Sequence, residues 1–66
     1  MELRNAIVKV IYANGRPRVV PEGFESRGFV RFPKHLRDLG ARYRVALLRE
    51  GKSGSWIAMG NITKVA

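Results

Sequence analysis

Hydrophobic and polar residues alternate over much of this chain, and that alternation predicts β-strands. In residues 3–12 the apolar side chains of one parity predict a single buried face, with β-branched residues dominating. These buried positions are Ala6, Val8, Val10 and Tyr12. Asn14-Gly15 then predicts a turn, because both residues adopt positive backbone angles at low cost. Residues 18–20 suit a short returning strand, and Pro21 begins a loop that extends to residue 26.

The next alternating segment, residues 27–32, predicts a second strand with Val30 and Phe32 inside and its arginines outside. Pro33 at a first helical position, two leucines three residues apart and Gly40 as a cap together predict a short helix over residues 33–39.

The last third of the chain reads as a hairpin. Residues 41–49 form its first strand, with Tyr43, Val45 and Leu47 facing inward and Arg42 and Arg44 facing outward. Residues 50–55 form a polar turn, and residues 56–65 form the returning strand, which bends or bulges at Gly60-Asn61.

The order of these elements predicts one domain, residues 1–66, of a mainly β (α+β) class. We expect a small twisted antiparallel sheet or barrel of about four to five strands with one short helix near residues 33–39. Periodicity does not distinguish an SH3-like or OB-like barrel from a domain-swapped dimeric barrel. A core this small, with no cysteine to cross-link it, favours a homodimer or very regular packing.

Charge narrows the choice of partner. Thirteen Lys and Arg residues against five Asp and Glu residues give a formal net charge of +8, which attracts polyanions. Most of the basic residues are arginine, whose planar guanidinium suits bidentate contacts with phosphate and guanine. Nucleic acid, DNA or RNA, is therefore the expected partner. A solubilising basic surface and binding to a membrane surface are the alternatives.

Arginines at alternating strand positions project from one face and can contact successive phosphates, while an exposed ring can stack on a base. Phe29 and Trp56 are the candidate rings, whereas Phe32 and Tyr43 are expected in the core. The predicted nucleic-acid-binding residues are Arg16, Arg18, Arg27, Phe29, Arg31, Lys34, Arg37, Arg42, Arg44, Lys52 and Trp56.

Catalysis is poorly supported by the sequence. His35 is the one histidine, and its spacing from Asp38 predicts a surface pair rather than a base beside a nucleophile. Gly51-Lys52-Ser53 lacks the preceding glycine of a phosphate-binding loop, since Ala46 stands at that position. We therefore expect no enzyme activity, cofactor, metal or small-molecule substrate. Without a long apolar segment or cysteine, the chain is expected in the cytoplasm, away from the membrane interior.

Residues 28–40, Gly-Phe-Val-Arg-Phe-Pro-Lys-His-Leu-Arg-Asp-Leu-Gly, resemble the core of AbrB/MazE-like transcription factors, in which a strand leads into Pro-Lys, a Leu-Arg pair and a short helix. The resemblance implies a swapped-hairpin barrel of two chains that binds duplex DNA and regulates transcription. It directs attention to Arg27, Arg31, Lys34 and Arg37. The chain departs from the family where Ala41-Arg42-Tyr43 replaces the usual Gly-Asp turn.

Two functions follow from these observations. The first is a nucleic-acid-binding protein in a regulatory or architectural role. The second is an interaction or adaptor module that binds an acidic protein through a sheet edge, since short strands expose unpaired edges. Loss of partners after nuclease treatment would favour the first function.

Overall fold

A computed structural model describes residues 1–23, 28–51 and 54–66. One antiparallel sheet contains four strands, namely β1 (Glu2–Ala13), β2 (Arg16–Pro21), β3 (Arg42–Arg49) and β4 (Ile57–Lys64). Their order across the sheet is β2-β1-β3-β4, which leaves β2 and β4 at the edges. The mainly β prediction is confirmed. Within the described residues the sheet does not close into a barrel, so the sheet alternative of the fold prediction is confirmed and the barrel alternative is wrong.

The first hairpin follows the predicted turn. Asn14 and Gly15 have φ angles of 53° and 80°, the left-handed region that a two-residue hairpin turn with the twist of the flanking strands requires. Ala13 and Arg16 face each other across this turn, and the pairing continues to Val8 opposite Pro21. The returning strand is therefore confirmed and is longer than residues 18–20.

The core lies on one face of this sheet, which we call the inner face. Tyr43 from the sheet and Phe32 from the connection between β2 and β3 are both buried, and their ring centroids are 5.3 Å apart. Tyr12 is 66% exposed although it shares the parity of Val8, because the end of β1 extends past the core into the hairpin. The buried residues are Val8, Val10, Val19, Val30, Phe32, Ala41, Tyr43, Val45, Leu47 and Trp56.

Residues 28–32 do not form the strand predicted over residues 27–32, and residue 27 lies outside the described residues. The Val30 N–H donates to the Val19 carbonyl at 2.8 Å, and the Arg31 N–H donates to the Trp56 carbonyl at 2.8 Å. This segment therefore contacts both edges of the sheet, and Arg31 makes only an isolated bridge with Ile57. Its facing is as predicted, since Val30 is buried and Arg31 is exposed.

The helix predicted over residues 33–39 is also wrong. The segment contains a single 3₁₀ turn, Lys34–Leu36, with no side-chain cap from Pro33. Helix nucleation is unfavourable, and a segment this short adds too few hydrogen bonds to offset it. Leu36 instead packs against the core, and residues 39–40 form a separate turn into β3.

The second hairpin is confirmed, with β4 beginning one residue after Trp56. Its register shifts between Arg44 and Ala46, opposite the bulge predicted at Gly60, whose φ of 73° suits glycine. No helix within the described ranges has the length and apolar character needed to cross a membrane.

Candidate functional site

Cationic side chains gather on the sheet face that points away from the core, which we call the outer face. Lys9 of β1 lies directly opposite Arg42 of β3, and Arg44 lies two residues further along the same strand. Side chains that face each other across antiparallel strands, or lie two apart on one strand, share a face of the sheet. All three side chains are exposed, so they form a continuous positive surface.

Strand β2 extends this surface. Lys9 faces Val20, and Arg18 lies two residues from Val20 on the same face, a diagonal neighbour of Lys9 at roughly 7–8 Å. Arg16 follows on that face at the start of β2. We call Lys9, Arg16, Arg18, Arg42 and Arg44 the basic strip.

One described carboxylate lies beside the basic strip. Glu22 Oε2 accepts a hydrogen bond from Nε of Arg42 at 2.9 Å and forms an ion pair with its Nη2 at 2.8 Å, and the Glu22 backbone N–H donates to the Ile7 carbonyl. Arg16, Arg18 and Arg44 make no ion pair with any described carboxylate. Glu22 offsets the charge of Arg42, and the other residues of the strip leave a surplus of positive charge on the outer face.

A second cationic feature lies at the edge of β2. Arg18, Arg31 and Arg37 surround an open cleft of about 270 Å³. The cleft forms because residues 29–31 run beside β2 through the hydrogen bond between Val30 and Val19. We call this cleft the arginine pocket, and no carboxylate is among its described lining residues, which are Arg18, Val19, Phe29, Val30, Arg31, Arg37 and Ser55.

Two of the pocket arginines are held in place by the protein. The guanidinium carbon of Arg18 lies 4.8 Å from the centroid of the Phe29 ring, and Nη2 of Arg37 donates to the Phe32 carbonyl at 2.9 Å. The Nε atoms of Arg18 and Arg37 are buried without a hydrogen-bond partner among the described residues. A buried donor without an acceptor costs about 1–3 kcal/mol, so these guanidinium groups are incompletely satisfied by the protein.

At the opposite end of β1, two arginines are paired with a carboxylate. Nε and Nη2 of Arg49 donate to Oε1 of Glu2 at 2.9 and 2.7 Å, and Nη2 of Arg4 donates to Oε2 at 3.0 Å. Arg49 also covers the Trp56 ring at 4.4 Å. The hydrogen bond from Arg49, with the positive charges of Arg49 and Arg4, lowers the pKa of Glu2. We call these four residues the Glu2 corner.

Most of the residues predicted from the sequence lie in one of these two features, the basic strip or the arginine pocket. Arg16, Arg18, Arg42 and Arg44 lie in the basic strip, and Arg18, Phe29, Arg31 and Arg37 meet at the arginine pocket.

The other predicted residues lie elsewhere. Lys34 is exposed on the 3₁₀ turn and lines neither feature. Trp56 is 2% exposed and belongs to the core, so its ring offers no surface to a base. Phe29 is half-buried beneath Arg18. Arg27 and Lys52 lie outside the described residues. His35 and Asp38 are both exposed, and no ion pair joins them.

Sequence reasoning missed Lys9 and Ser55. The parity of β1 already placed Lys9 opposite to Val8 and Val10, but only the pairing of β1 with β3 shows that it faces Arg42. Ser55 reaches the arginine pocket through the approach of residues 54–57 to Arg31, which no local pattern signals.

Comparison of the chain with protein-family models, with curated proteins and with solved structures gives no match. The resemblance of residues 28–40 to AbrB/MazE-like proteins, with the two-chain assembly that it implies, therefore stays a prediction.

Proposed function

We propose that this protein binds nucleic acid through the basic strip. The observation that carries the proposal is the direct opposition of Lys9 and Arg42, extended on the same face by Arg44 and Arg18. Cations that neutralise phosphates release condensed counterions, which supplies most of the affinity of a protein for a polynucleotide backbone. A ligand with repeated negative charge removes the repulsion that the strip otherwise imposes on the sheet.

The surface beside Arg44 supports a ligand with both charged and flat apolar parts. A shallow groove of about 310 Å³ lies there, lined by Asn5, Ala6, Ile7, Glu22 and Arg44. Ile7 gives it an apolar wall, and the Asn5 amide offers both a donor and an acceptor. When the phosphate of a nucleotide contacts Arg44, the base of that nucleotide can lie in this groove. The groove therefore favours a strand with accessible bases over a purely charged polymer.

An acidic protein bound at a sheet edge is the competing proposal. Its support is weaker, because backbone groups on both edge strands already have partners in residues 30–31. The Val19 carbonyl of β2 accepts from Val30, and the Ala58 N–H of β4 donates to the Arg31 carbonyl at 3.0 Å. Addition of another strand at these positions would displace bonds that hold the fold.

The test measures binding to single- and double-stranded DNA and RNA by fluorescence anisotropy, at about 50 and 200 mM salt. We expect binding at low salt that weakens steeply as the salt rises. The double variant Lys9→Gln/Arg44→Gln should lose about tenfold or more in affinity at low salt. It should also reduce the slope of log affinity against log salt by about 1.5–2.

Arg4→Gln/Lys64→Gln is the charge-matched control. Arg4 pairs with Leu47 and Lys64 pairs with Tyr43, so neither residue shares the outer face with the strip. It should retain nearly the wild-type slope. Absence of binding at low salt, or equal losses in the two double variants, would refute the proposal. Capture of an acidic protein that survives nuclease and high salt would favour the adaptor function.

A further inference from the structure

The arginine pocket differs from the basic strip in shape and in the charge that it can accept. The strip is an open sheet face, whereas the pocket is a cleft lined by three arginines and Ser55. We propose that this pocket binds a terminal phosphate, a phosphomonoester, at the end of a nucleic-acid strand. The choice of a nucleic-acid end rests on the proposed function, whereas the phosphate chemistry rests on the pocket alone.

The absence of counter-charge among the described residues is the first argument. Arg4, Arg42 and Arg49 each contact a described carboxylate, whereas Arg18, Arg31 and Arg37 contact none. Three positive charges held in one cleft repel each other unless an anion lies between them. A phosphomonoester carries about −1.5 to −2 charges near neutral pH, while each internal phosphodiester carries one, so the terminal group matches the pocket better.

The second argument is that the pocket is organised before any ligand arrives. Phe29 supports the guanidinium of Arg18, and the Phe32 carbonyl fixes that of Arg37, so two of the three cations need little ordering on binding. The buried Nε atoms of both arginines lack acceptors among the described residues. Because these Nε atoms are buried, a phosphate in the cleft would contact the terminal Nη groups, and guanidinium groups bind phosphate oxygens through such paired N–H donors.

Size gives the third argument. At about 270 Å³ the cleft lies just below the roughly 300–1,000 Å³ of pockets that hold whole small molecules. It has room for a phosphoryl group and part of the sugar attached to it. Since Arg18 belongs to both features, a strand end in the pocket would continue directly onto the basic strip.

The first experiment uses inorganic phosphate, added to the wild-type chain at constant ionic strength and compared with sulfate and chloride. Two-dimensional ¹H–¹⁵N NMR follows the backbone amides of Val19, Val30 and Ser55 and the Nε–H groups of the arginines. We expect phosphate to shift these signals. Arg31→Gln, whose side chain is exposed, should weaken phosphate binding by about tenfold or more, whereas Lys64→Gln, which removes one exposed positive charge outside the strip and the pocket, should not.

The second experiment compares a 5′-phosphorylated trinucleotide, a 3′-phosphorylated one, an unphosphorylated one and ribose 5-phosphate by calorimetry. The proposal is supported if either phosphorylated trinucleotide binds at least about tenfold more tightly than both the unphosphorylated trinucleotide and ribose 5-phosphate. The difference should be lost in Arg31→Gln. Equal binding of all trinucleotides, or no pocket shifts with phosphate, overturns it. Ribose 5-phosphate binding as tightly as the trinucleotide refutes the strand end, and equal binding of sulfate and phosphate means an adventitious ion only.

These outcomes are separate from those of the proposed function. Phosphate shifts in the pocket with no polynucleotide binding would refute the role of the basic strip alone. Polynucleotide binding that depends on Lys9 and Arg44 but not on phosphorylation of the strand end would refute the pocket alone.

Discussion

The Glu2 corner and the arginine pocket contain the same kind of side chain in opposite electrostatic settings. At the corner, one carboxylate accepts hydrogen bonds from Arg4 and Arg49, and Arg49 covers a buried ring. In the pocket, three arginines meet around a cleft with no carboxylate among its described lining. Each of these arginines counts equally in the net charge of +8. The corner has one carboxylate for its two arginines, whereas the pocket has none among its described lining residues, so arginine content alone does not show where positive charge is unpaired.

The largest effect is expected from breaking the corner. Arg49→Met keeps an unbranched side chain over Trp56 but removes the cation. Loss of the cation–π contact should lower the free energy of unfolding by about 1 kcal/mol, and loss of the bonds to Glu2 should lower it further. For a domain of this size, about 1 kcal/mol corresponds to a decrease of roughly 4–8 °C in Tm, measured by circular dichroism.

Arg31→Met is the matched control, because its exposed side chain has no carboxylate partner among the described residues. We expect its Tm to change by less than about 2 °C, since exposed charges contribute little to stability. Equal decreases in the two variants would contradict the distinction between corner and pocket.

A smaller effect should follow when the pocket is made to resemble the corner. Ser55→Asp places a carboxylate beside the three arginines and should raise the free energy of unfolding by up to about 1 kcal/mol. The same change should weaken phosphate binding, because the new carboxylate competes for the guanidinium groups. Thermal denaturation and calorimetry with inorganic phosphate measure the two effects. Ser55→Asn, which has the same shape without the charge, should produce neither.

The smallest effect is the pH dependence of the corner. Because contacts with Arg49 lower the pKa of Glu2 in the folded protein, ionised Glu2 stabilises the fold above its ordinary pKa of 4.5. That stabilisation is lost as the pH decreases through the folded-state pKa. Wild type should therefore have a higher Tm than Glu2→Gln at pH 7, and the difference should shrink toward pH 3.

Glu50→Gln serves as the control, because Glu50 is exposed and makes no ion pair with a described residue. It should have nearly the wild-type Tm at both pH values. A Glu2→Gln deficit that stays constant with pH would show that the corner is held by packing and not by charge.

The sequence predicted those parts of the fold that depend on neighbouring residues. Alternation identified β1, β3 and β4, and Asn14-Gly15 identified the first turn. The predictions for residues 27–32 and 33–39 were wrong for different reasons. Residues 28–32 have the side-chain alternation of a strand, but their backbone bonds are divided between two sheet edges. The 3₁₀ turn has leucines at helical spacing but too few residues to continue as a helix.

For the candidate site, the sequence predicted the facing of strand residues but not the position of Trp56. The outward facing of Arg42 and Arg44 follows from the parity of β3, and the placement of Tyr43 and Phe32 in the core was also confirmed. Trp56 could be assigned to the core only from the structure, since a large ring beside a turn suits either a buried position or an exposed one.

The surplus of positive charge, the strand pattern and the face on which most strand residues lie follow from the sequence, because each depends on composition or on a period of two residues. Tertiary structure alone decided which arginines are neutralised and which converge. Glu2 and Arg49 are 47 residues apart in sequence, and Arg18 meets Arg31 and Arg37 only because residues 29–31 lie along β2. The physical reason is that electrostatic interactions depend on separation in space, which strand pairing fixes and local sequence does not.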